Sequence, residues 1–513
     1  VSLVEQQALS DKRAAIVILQ QRGKELAQGI APDVDKFGFM LPYTPLHHLL
    51  LQQLDSPVVM TSGNMSDEPQ CIDNQEARQK LAGLADYFLL HNRDIVNRLD
   101  DSLLRRTGDN MQVLRRARGF SPEVLVLPDG FQRQQILAMG SELKNSFCLL
   151  KDGLAMVSQH NGDLENAAAQ QAYRQQLKLY QRLFDFNAEM IAVDLHPGYL
   201  STQYGQQLAQ SQSLPLAAVQ HHHAHIAACM AEHGLAINTP PVLAAVFDGL
   251  GMGLEDELWG GEFFLSDYSS FTRLGYLQPV PMPGGVQAIR EPWRNAYAQL
   301  NFYFDLDSLR EQFSDLVFIQ FLETKPLATL ATMLDKNLNS PLSSSCGRWF
   351  DACAALLGVC PEGVSYEGQA AILLETLAAS EFNPEQPAPY AYSILHQQNA
   401  FVVNWRALWL SVLHDIQAQY NKALIAARIH HTLIAASVEL LLKLSAQTAT
   451  NTIVLSGGVF QNKLLLESVI QQLQQQGKRV LMAQKYPIND GGIALGQAVV
   501  AASRRESFDD LFN

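Results

Sequence analysis

The stretch Val242-Leu-Ala-Ala-Val-Phe-Asp-Gly-Leu-Gly-Met-Gly253 runs from an unbroken apolar segment into a glycine-rich turn. A short apolar run that ends at turn residues is typical of a buried β-strand. A second segment of the same kind, Glu257-Leu-Trp-Gly-Gly-Glu-Phe-Phe-Leu265, follows directly. Together the two segments predict a strand, a turn and a second strand.

The same form occurs earlier in the chain, at Ile136-Leu-Ala-Met-Gly-Ser-Glu-Leu-Lys-Asn-Ser-Phe-Cys-Leu-Leu150. Two such hairpins, each opening an α/β lobe, resemble the actin/hexokinase/Hsp70 (ASKHA) superfold. That resemblance implies a nucleotide between two lobes, with its phosphates against the hairpin turns. The residues at the turns that become candidate nucleotide ligands are Lys144, Asn145, Gly249 and Gly251.

Two further glycine-rich turns follow. Thr452-Ile-Val-Leu-Ser-Gly-Gly-Val-Phe-Gln-Asn-Lys463 reads as a buried strand, a Gly-Gly turn and a helix whose N-terminus can bind an anion. Pro487-Ile-Asn-Asp-Gly-Gly-Ile-Ala-Leu-Gly-Gln497 places Asp490 before a small-residue helix that can pack close to a site. Any one of these turns can be merely structural, but their occurrence in this order favours a nucleotide site.

Four histidines lie close together in Val219-Gln-His-His-His-Ala-His-Ile-Ala-Ala-Cys229. On a helix, residues i and i+4 share a face, so His221 and His225 can hold one metal ion. Divalent metals take three or four protein ligands, and Asp248 and Asp490, each near the end of a strand-like run, are the candidates for the rest. The alternative is a surface histidine cluster or a buried, hydrogen-bonded one.

Two other histidines follow strand-like runs with an acid nearby. His160 has Asp163 close by in the sequence, and His196 has Asp194. We interpret both histidines as structural.

Residues 36–120 predict a compact α/β unit. Thr44 is the expected cap of a helix that ends near Leu51, and Pro57-Val-Val-Met60 is expected to be a short buried strand. The small polar residues after it suit a phosphate or a ribose, and arginines further on can neutralise a triphosphate. The alternatives are ordinary turns and a solvated charged face. These candidate nucleotide ligands are Thr61, Ser62, Asn64, Arg116 and Arg118.

The segment from about residue 14 to residue 120 resembles the later part of the YrdC-type domain. The resemblance implies ATP binding and formation of a carbamoyl-type adenylate. The sequence begins without a methionine and reaches its first strand, Ala14-Ala-Ile-Val-Ile-Leu19, almost at once, so we expect a fragment. The basic motif that opens the family's ATP site would precede residue 1, and we expect adenylation to depend on it. We predict an N-terminally incomplete YrdC-like domain over 1–127 and a transferase domain over 132–513.

Bulk properties exclude several classes of protein. The formal net charge of −14, without a compensating basic tract, argues against binding to nucleic acid or anionic membranes. Apolar runs fall short of the about 20 residues of a membrane-spanning helix, and the N-terminus lacks a signal-peptide pattern. The six cysteines contain no CxxC pair, which favours reduced core cysteines in a cytoplasmic protein.

Several motifs together resemble the hydrogenase-maturation carbamoyltransferase family and, more distantly, the tRNA threonylcarbamoyltransferase catalytic subunit. Besides the histidine stretch, they are Phe247-Asp-Gly-Leu-Gly251, Gly347-Arg-Trp-Phe-Asp351, Ser365-Tyr-Glu-Gly-Gln-Ala-Ala371, Ser456-Gly-Gly-Val-Phe-Gln-Asn462 and Asn489-Asp-Gly-Gly492. Full-length family members also carry an acylphosphatase-like domain and a zinc-finger pair. We therefore expect release of carbamate from carbamoyl phosphate to lie outside this chain.

The resemblance implies a chemistry and a set of ligands. Carbamate, derived from carbamoyl phosphate, reacts with ATP and Mg²⁺ to give carbamoyl-adenylate. The carbamoyl group then passes to the C-terminal cysteine of a maturation partner, as a precursor of the cyanide ligands of [NiFe]-hydrogenase. The metal, zinc or iron, would be held by His221, His225 and Asp490, with Asp248 adjacent or ligating. Nucleotide would be bound by Asp351 and Glu367 at the ribose, and by Gly457, Gly458 and Asn462.

The residues and the resemblances are consistent with three functions. The favoured one is the carbamoyltransferase of hydrogenase maturation. A tRNA threonylcarbamoyltransferase-like enzyme is the second, opposed by the acidic charge and by the fused YrdC-like unit. A non-catalytic scaffold that binds metal and nucleotide and docks a maturation partner is the third.

Overall fold

A computed structural model describes residues 1–23, 29–66, 68–131, 134–255 and 257–504. The chain forms two compact units, of which the first combines Val1–Thr239 with Ala483–Asn513 and the second is Pro240–Met482. The predicted transferase segment is therefore shared between the two units. Its predicted ends, 132 and 513, lie outside the described residues, and the boundary with the YrdC-like segment stays a prediction.

The N-terminal part of the first unit is a small α/β layer. Its elements are α1 (Leu3–Ser10), β1 (Ile16–Gln20), β2 (Lys36–Phe39), α2 (Pro45–Leu51), α3 (Asn74–Lys80), β3 (Leu103–Thr107) and β4 (Asn110–Arg115). The sheet order is β2-β1-β3-β4, with β1 parallel to β3. Val17, Leu104 and Val113 are core residues of this layer.

Two local predictions for this layer have different outcomes. Thr44 caps α2 as predicted, because its hydroxyl accepts a hydrogen bond from the backbone N–H of His47. The predicted buried strand over residues 57–60 is wrong, since these residues are irregular and Val59 is 73% exposed. An apolar run becomes a strand only where a neighbouring strand forms backbone hydrogen bonds with it. In the described part of the chain, the four-stranded sheet is formed by β1 to β4 and not by residues 57–60.

The rest of the first unit before residue 240 is the first lobe. Its elements are β5 (Leu125–Val126), β6 (Ile136–Ala138), β7 (Cys148–Lys151), β8 (Leu154–Val157), α4 (Ala167–Leu183), β9 (Met190–Asp194), α5 (Leu200–Gln212), β10 (Leu216–Val219) and α6 (His221–Glu232). The sheet order is β10-β9-β6-β7-β8-β5. Strands β6, β7 and β8 form an antiparallel meander, and β9 lies parallel to both β6 and β10.

The second unit begins with the same strand pattern. Its elements are β11 (Val242–Met252), β12 (Leu258–Ser266), β13 (Phe271–Leu277), β14 (Val280–Pro281), α7 (Val286–Arg290), α8 (Pro292–Tyr303), α9 (Leu306–Gln312), α10 (Val317–Glu323), α11 (Leu327–Asp335), β15 (Leu342–Ser343), α12 (Cys346–Leu356), α13 (Gln369–Ala378), β16 (Ser393–Gln397), β17 (Ala400–Asn404), α14 (Arg406–Gln417), α15 (Lys422–Thr448), β18 (Thr452–Ser456), α16 (Lys463–Gln475) and β19 (Arg479–Met482). Strands β11, β12 and β13 are an antiparallel meander, and β18 lies parallel to β11 and β19. The meander with two added parallel strands occurs in both units, so the duplication predicted from the two hairpins is confirmed.

The last helix, α17 (Ile493–Ser503), belongs to the first unit and packs on α6. The approach is very close at Gly496, where a Cβ atom would lie 1.8 Å from the carbonyl oxygen of Ala224. The predicted close packing of this small-residue helix is therefore confirmed.

Helix α15 is longer than the apolar runs expected from the sequence. Its 27 residues are long and apolar enough to cross a membrane by length and composition, although no such run was expected from the sequence. Most of its apolar stretch is buried within the protein, as in a core helix. His430 and His431 lie on this helix and are buried.

The cysteines form no disulfide among the described residues, which include all six. Cys346 and Cys353 are buried on α12, as a seven-residue spacing predicts. Cys360, seven residues after Cys353, lies beyond the end of this helix and is only partly buried.

Candidate metal and nucleotide site

Helix α6 carries the histidine cluster and begins at His221. The side chain of Gln220 caps it by accepting a hydrogen bond from the backbone N–H of His223. His221 and His225 are one turn apart, with ring centroids 5.1 Å from each other. Both are buried, so the surface-cluster alternative is excluded.

Asp490 faces the two imidazoles from a short 3₁₀ turn before α17. Its Oδ1 lies 3.7 Å from the Nε2 of His221 and 3.7 Å from the Nε2 of His225. Its Oδ2 accepts a hydrogen bond of 2.6 Å from the hydroxyl of Ser141, at the turn after β6. The first unit thus brings together three of the four predicted metal ligands.

The electrostatics of this cluster suit a cation. Burial alone would raise the pKa of the Asp490 carboxyl, but the neighbouring imidazoles of His221 and His225 outweigh it and hold this pKa well below its usual value. Two imidazole nitrogens and one carboxylate oxygen form the donor set of many three-ligand zinc sites, which leave a position for substrate. Iron also accepts such a set. The residues present therefore fit a divalent metal.

Asp194 and Ser141 contact the predicted metal ligands His221 and Asp490, although neither was predicted from the sequence to belong to the site. The Oδ2 of Asp194 lies 2.9 Å from the Nδ1 of His221, and neither side chain is exposed. Asp194 was noted only as the acid near His196, whose backbone N–H it also binds. A carboxylate at the end of a parallel strand, β9, was the available signal for it.

Asp248 belongs to the second unit and lies within β11, where the predicted glycine turn is instead an irregularity in the pairing with β12 between Phe247 and Gly251. Its Oδ1 accepts hydrogen bonds from the backbone N–H groups of Gly249, at 2.7 Å, and Gly458, at 3.3 Å. Gly457 has a positive φ of 99°, and a Cβ atom there would lie 2.3 Å from the carbonyl oxygen of Phe247. Only glycine fits this close approach of two backbones. Ligation of a metal by Asp248 stays a prediction, as does a nucleotide contact by Gly251.

The other predicted nucleotide ligands of this unit, Asp351, Glu367 and Asn462, differ in burial and in their polar contacts. Asp351 is buried and pairs with Arg348 at 2.9 Å; burial raises the pKa of its carboxyl, and Arg348 opposes the rise. Glu367 is exposed. Asn462 caps α16, and its side-chain nitrogen lies 2.9 Å from the Nε2 of His430. Their contacts with a ribose or phosphate stay predictions.

The first hairpin turn is held by hydrogen bonds from the side chain of Asn145. Asn145 is fully buried and donates to the carbonyl oxygens of Met139 and Ser141. These bonds give Asn145 a structural role in the turn. Lys144 has a positive φ of 47° and is partly exposed beside it, so of the two it is the better candidate for a phosphate contact.

Two predicted ligands of the YrdC-like segment line a cavity of about 390 Å³ within the first unit. Ser62 and Asn64 lie on one side of it. Polar residues from the same segment and from the first lobe also line it, including Arg98, Arg115, Gln159, His160 and Asn161. The cavity combines these two arginines and the amide and hydroxyl groups with the carboxylates of Glu68, Asp100, Asp163 and Glu165. Thr61 is exposed.

Arg116 and Arg118 were predicted to bind phosphate, but their donors have other partners. Arg116 is buried and donates to the carbonyl oxygens of Val157, Phe120 and Glu123. Arg118 donates to Asp101 and to backbone carbonyls. The structure assigns both residues to local packing, and Arg115 is the arginine of this stretch that reaches the cavity.

We expect His160 to make the first unit sensitive to acid. Burial lowers its pKa from 6.5 to about 3, and the charges of Arg115 and Lys144 add to the effect. Protonation of this histidine is less favourable in the folded state than in the unfolded state. The folded state therefore keeps its full stability above the unfolded-state pKa of 6.5 and loses stability as the pH falls from 6.5 toward 3. At pH 5 we expect His160→Gln to recover up to about 2 kcal/mol of unfolding free energy relative to the parent. Urea denaturation from pH 7.5 to 4.5 measures this, with His48→Gln, an exposed site on α2, as the control; parallel pH profiles would contradict the assignment.

Three family models match the chain. "HypF Kae1-like domain" matches residues 131–232, and "Carbamoyltransferase, Kae1-like Domain, second subdomain" matches residues 244–497. The Sua5/YciO/YrdC model, described as "Telomere recombination", matches residues 3–117.

Curated proteins and a solved structure are similar over most of the chain. Carbamoyltransferase HypF of Rhodobacter capsulatus is 42% identical over 98% of this chain, which spans 64% of that relative's length. A carbamoyltransferase HypF homolog of Cupriavidus necator is 38% identical over 73% of this chain and 93% of the relative. A crystal structure of full-length HypF in the phosphate- and nucleotide-bound form matches with a TM-score of 0.90 and 41% identity, covering 98% of this chain and 76% of that one.

These relationships agree with the order of domains read from the sequence. A Sua5/YrdC-like segment precedes Kae1-like segments of the ASKHA type, and the strand pattern of the two units fits that order. The chain belongs to the HypF carbamoyltransferase family.

Proposed function

We propose that this chain carries the adenylate-handling and carbamoyl-transfer steps of an ATP-dependent carbamoyltransferase of [NiFe]-hydrogenase maturation. The observation that supports this most strongly is the convergence of His221, His225 and Asp490 in a member of the HypF family. These residues would hold a divalent cation, which when bound supplies Lewis acidity toward the carbamoyl carbonyl.

The protein's own residues would position the adenylate. Asp248 fixes the turn at Gly457 by accepting a hydrogen bond from the N–H of Gly458, and the nucleotide would lie against this turn. The dipole of α16 would favour a phosphate at its N-terminus, although the N–H groups of Lys463 and Leu465 already donate to Glu375 and Asn462. The solved HypF relative in a phosphate- and nucleotide-bound form supports nucleotide binding by this chain.

The transfer itself needs no nucleophile from this chain. The thiolate sulfur of the partner's C-terminal cysteine forms a bond to the carbamoyl carbon. The bond from that carbon to the phosphate oxygen of AMP breaks, and AMP leaves with the electron pair. The cysteines described above are mostly buried, and burial raises the pKa of the Cys346 and Cys353 thiols, which is consistent with a nucleophile supplied from outside.

The cavity beside Ser62 and Asn64 extends this proposal to the YrdC-like segment. Its arginines, Arg98 and Arg115, would neutralise the phosphate of an adenylate or of ATP with its Mg²⁺. Carbamate or carbamoyl phosphate would be the source of the carbamoyl group.

The test is transfer of a ¹⁴C-labelled carbamoyl group to a partner protein that ends in cysteine. Chain, partner, ATP, Mg²⁺ and labelled carbamoyl-adenylate are combined, and the label on the partner is counted. We expect label on the partner from the parent chain, and label at background level from His221→Ala or with a partner whose last cysteine is serine.

The outcomes separate the three functions. Binding of metal and nucleotide without any label on the partner would contradict the proposal and favour a scaffold. Label found on tRNA instead of on the partner would favour a threonylcarbamoyltransferase-like enzyme.

A further inference from the structure

Both ring nitrogens of His221 face a carboxylate, Nδ1 that of Asp194 and Nε2 that of Asp490. The Nδ1 of His221 lies 2.9 Å from the Oδ2 of Asp194, and both side chains are completely buried. A carboxylate only accepts hydrogen bonds, so the Nδ1 of the ring carries the hydrogen. The Nε2 then presents its lone pair on the side of Asp490 and His225, where the metal would lie.

Asp194 is itself held rigidly. It is the last residue of β9, a strand whose residues are all buried and which lies between β6 and β10. Its Oδ1 accepts the backbone N–H of His196 at 2.9 Å, and its carbonyl oxygen accepts the hydroxyl of Thr202 at 3.2 Å. The carboxylate therefore has little freedom to turn away from the imidazole.

We propose that Asp194 is a positioning residue that sets the tautomer and the orientation of His221 for metal binding. This inference rests on the proposed metal site and adds a residue to it. Histidine ligands are commonly held by a carboxylate in this way, and loss of such a partner typically weakens metal binding about 10- to 100-fold.

The experiment is a titration of the metal-free chain with Co²⁺ alone, followed by the visible d–d absorption of the bound ion and by competition with a chromogenic chelator. We expect Asp194→Asn to raise the Kd for Co²⁺ by about tenfold and Asp194→Ala by up to about a hundredfold. The d–d bands of both variants should shift, because the ligand geometry changes. Asp152→Asn, which removes the same charge from an exposed turn of the same unit, should behave like the parent.

Two controls make the result decisive. Asp194→Asn keeps the size of the side chain, so it tests the inference even if Asp194→Ala does not fold. An unchanged Kd and unchanged d–d bands in Asp194→Asn would overturn the positioning role. In the same titration His221→Ala tests the metal site itself: if it binds Co²⁺ like the parent, the metal site fails and this inference with it.

Discussion

Replacing His221 by alanine is expected to reduce the affinity for Zn²⁺ by more than about a hundredfold, since loss of an outer partner already costs up to that amount. The change removes one of three convergent donors and leaves only His225 and Asp490 within the first unit. Two protein ligands are too few for a stable divalent site. Transfer of the carbamoyl group should fall to background in parallel. Metal content after dialysis, measured by plasma mass spectrometry, checks the first effect.

The matched control is His233→Ala, the same substitution just beyond the end of α6. It should keep the parent's metal content. His225→Ala provides a second test of the site in case the first variant does not fold. Metal retained at parental stoichiometry in both ligand variants would contradict the proposed site.

Replacing Gly496 by alanine is expected to destabilise the first unit by about 3 kcal/mol or more, at the upper end of the cost of overpacking. The new Cβ would lie 1.8 Å from the carbonyl oxygen of Ala224, so α17 and α6 must separate. A clash with backbone cannot be relieved by a side-chain rotation. Because Asp490 lies directly before α17 and the histidines lie on α6, metal binding should weaken as well. Urea denaturation of the metal-free chain measures the loss of stability.

Gly83→Ala is the control for this change. Gly83 has open space around its Cβ position, so the same substitution there should alter the free energy of unfolding by less than about 0.5 kcal/mol. A Gly496→Ala variant as stable as the control would show that the two helices are not packed as described.

Local sequence patterns were enough to predict the parts of the fold that depend on neighbouring residues. The apolar runs of β6 and β11 and the glycines after them indicated both hairpins, and the spacing of His221 and His225 indicated one face of a helix. Asp490 was recognisable because a carboxylate follows an apolar run and precedes a small-residue helix.

Features that depend on distant parts of the chain could not be predicted in this way. Residues 57–60 have the composition of a strand, but pairing is a property of the whole sheet. Arg116 was a candidate phosphate ligand, yet its guanidinium donates to the carbonyl oxygens of nearby Phe120 and Glu123 and of Val157, 41 residues away. Asp194 and Ser141 reach the site only because β9, the turn after β6 and α6 meet in three dimensions.

His221, His225 and Asp490 are the proposed ligands of a divalent metal. The most direct test is a crystal of this chain, grown after metal loading and soaked with ATP and carbamoyl phosphate, with diffraction data collected on both sides of the zinc and iron absorption edges. We expect an anomalous peak bonded to both Nε2 atoms and to the Asp490 carboxylate, at about 2.0–2.2 Å if the ion is zinc. Anomalous density elsewhere, with none among these three side chains, would contradict it.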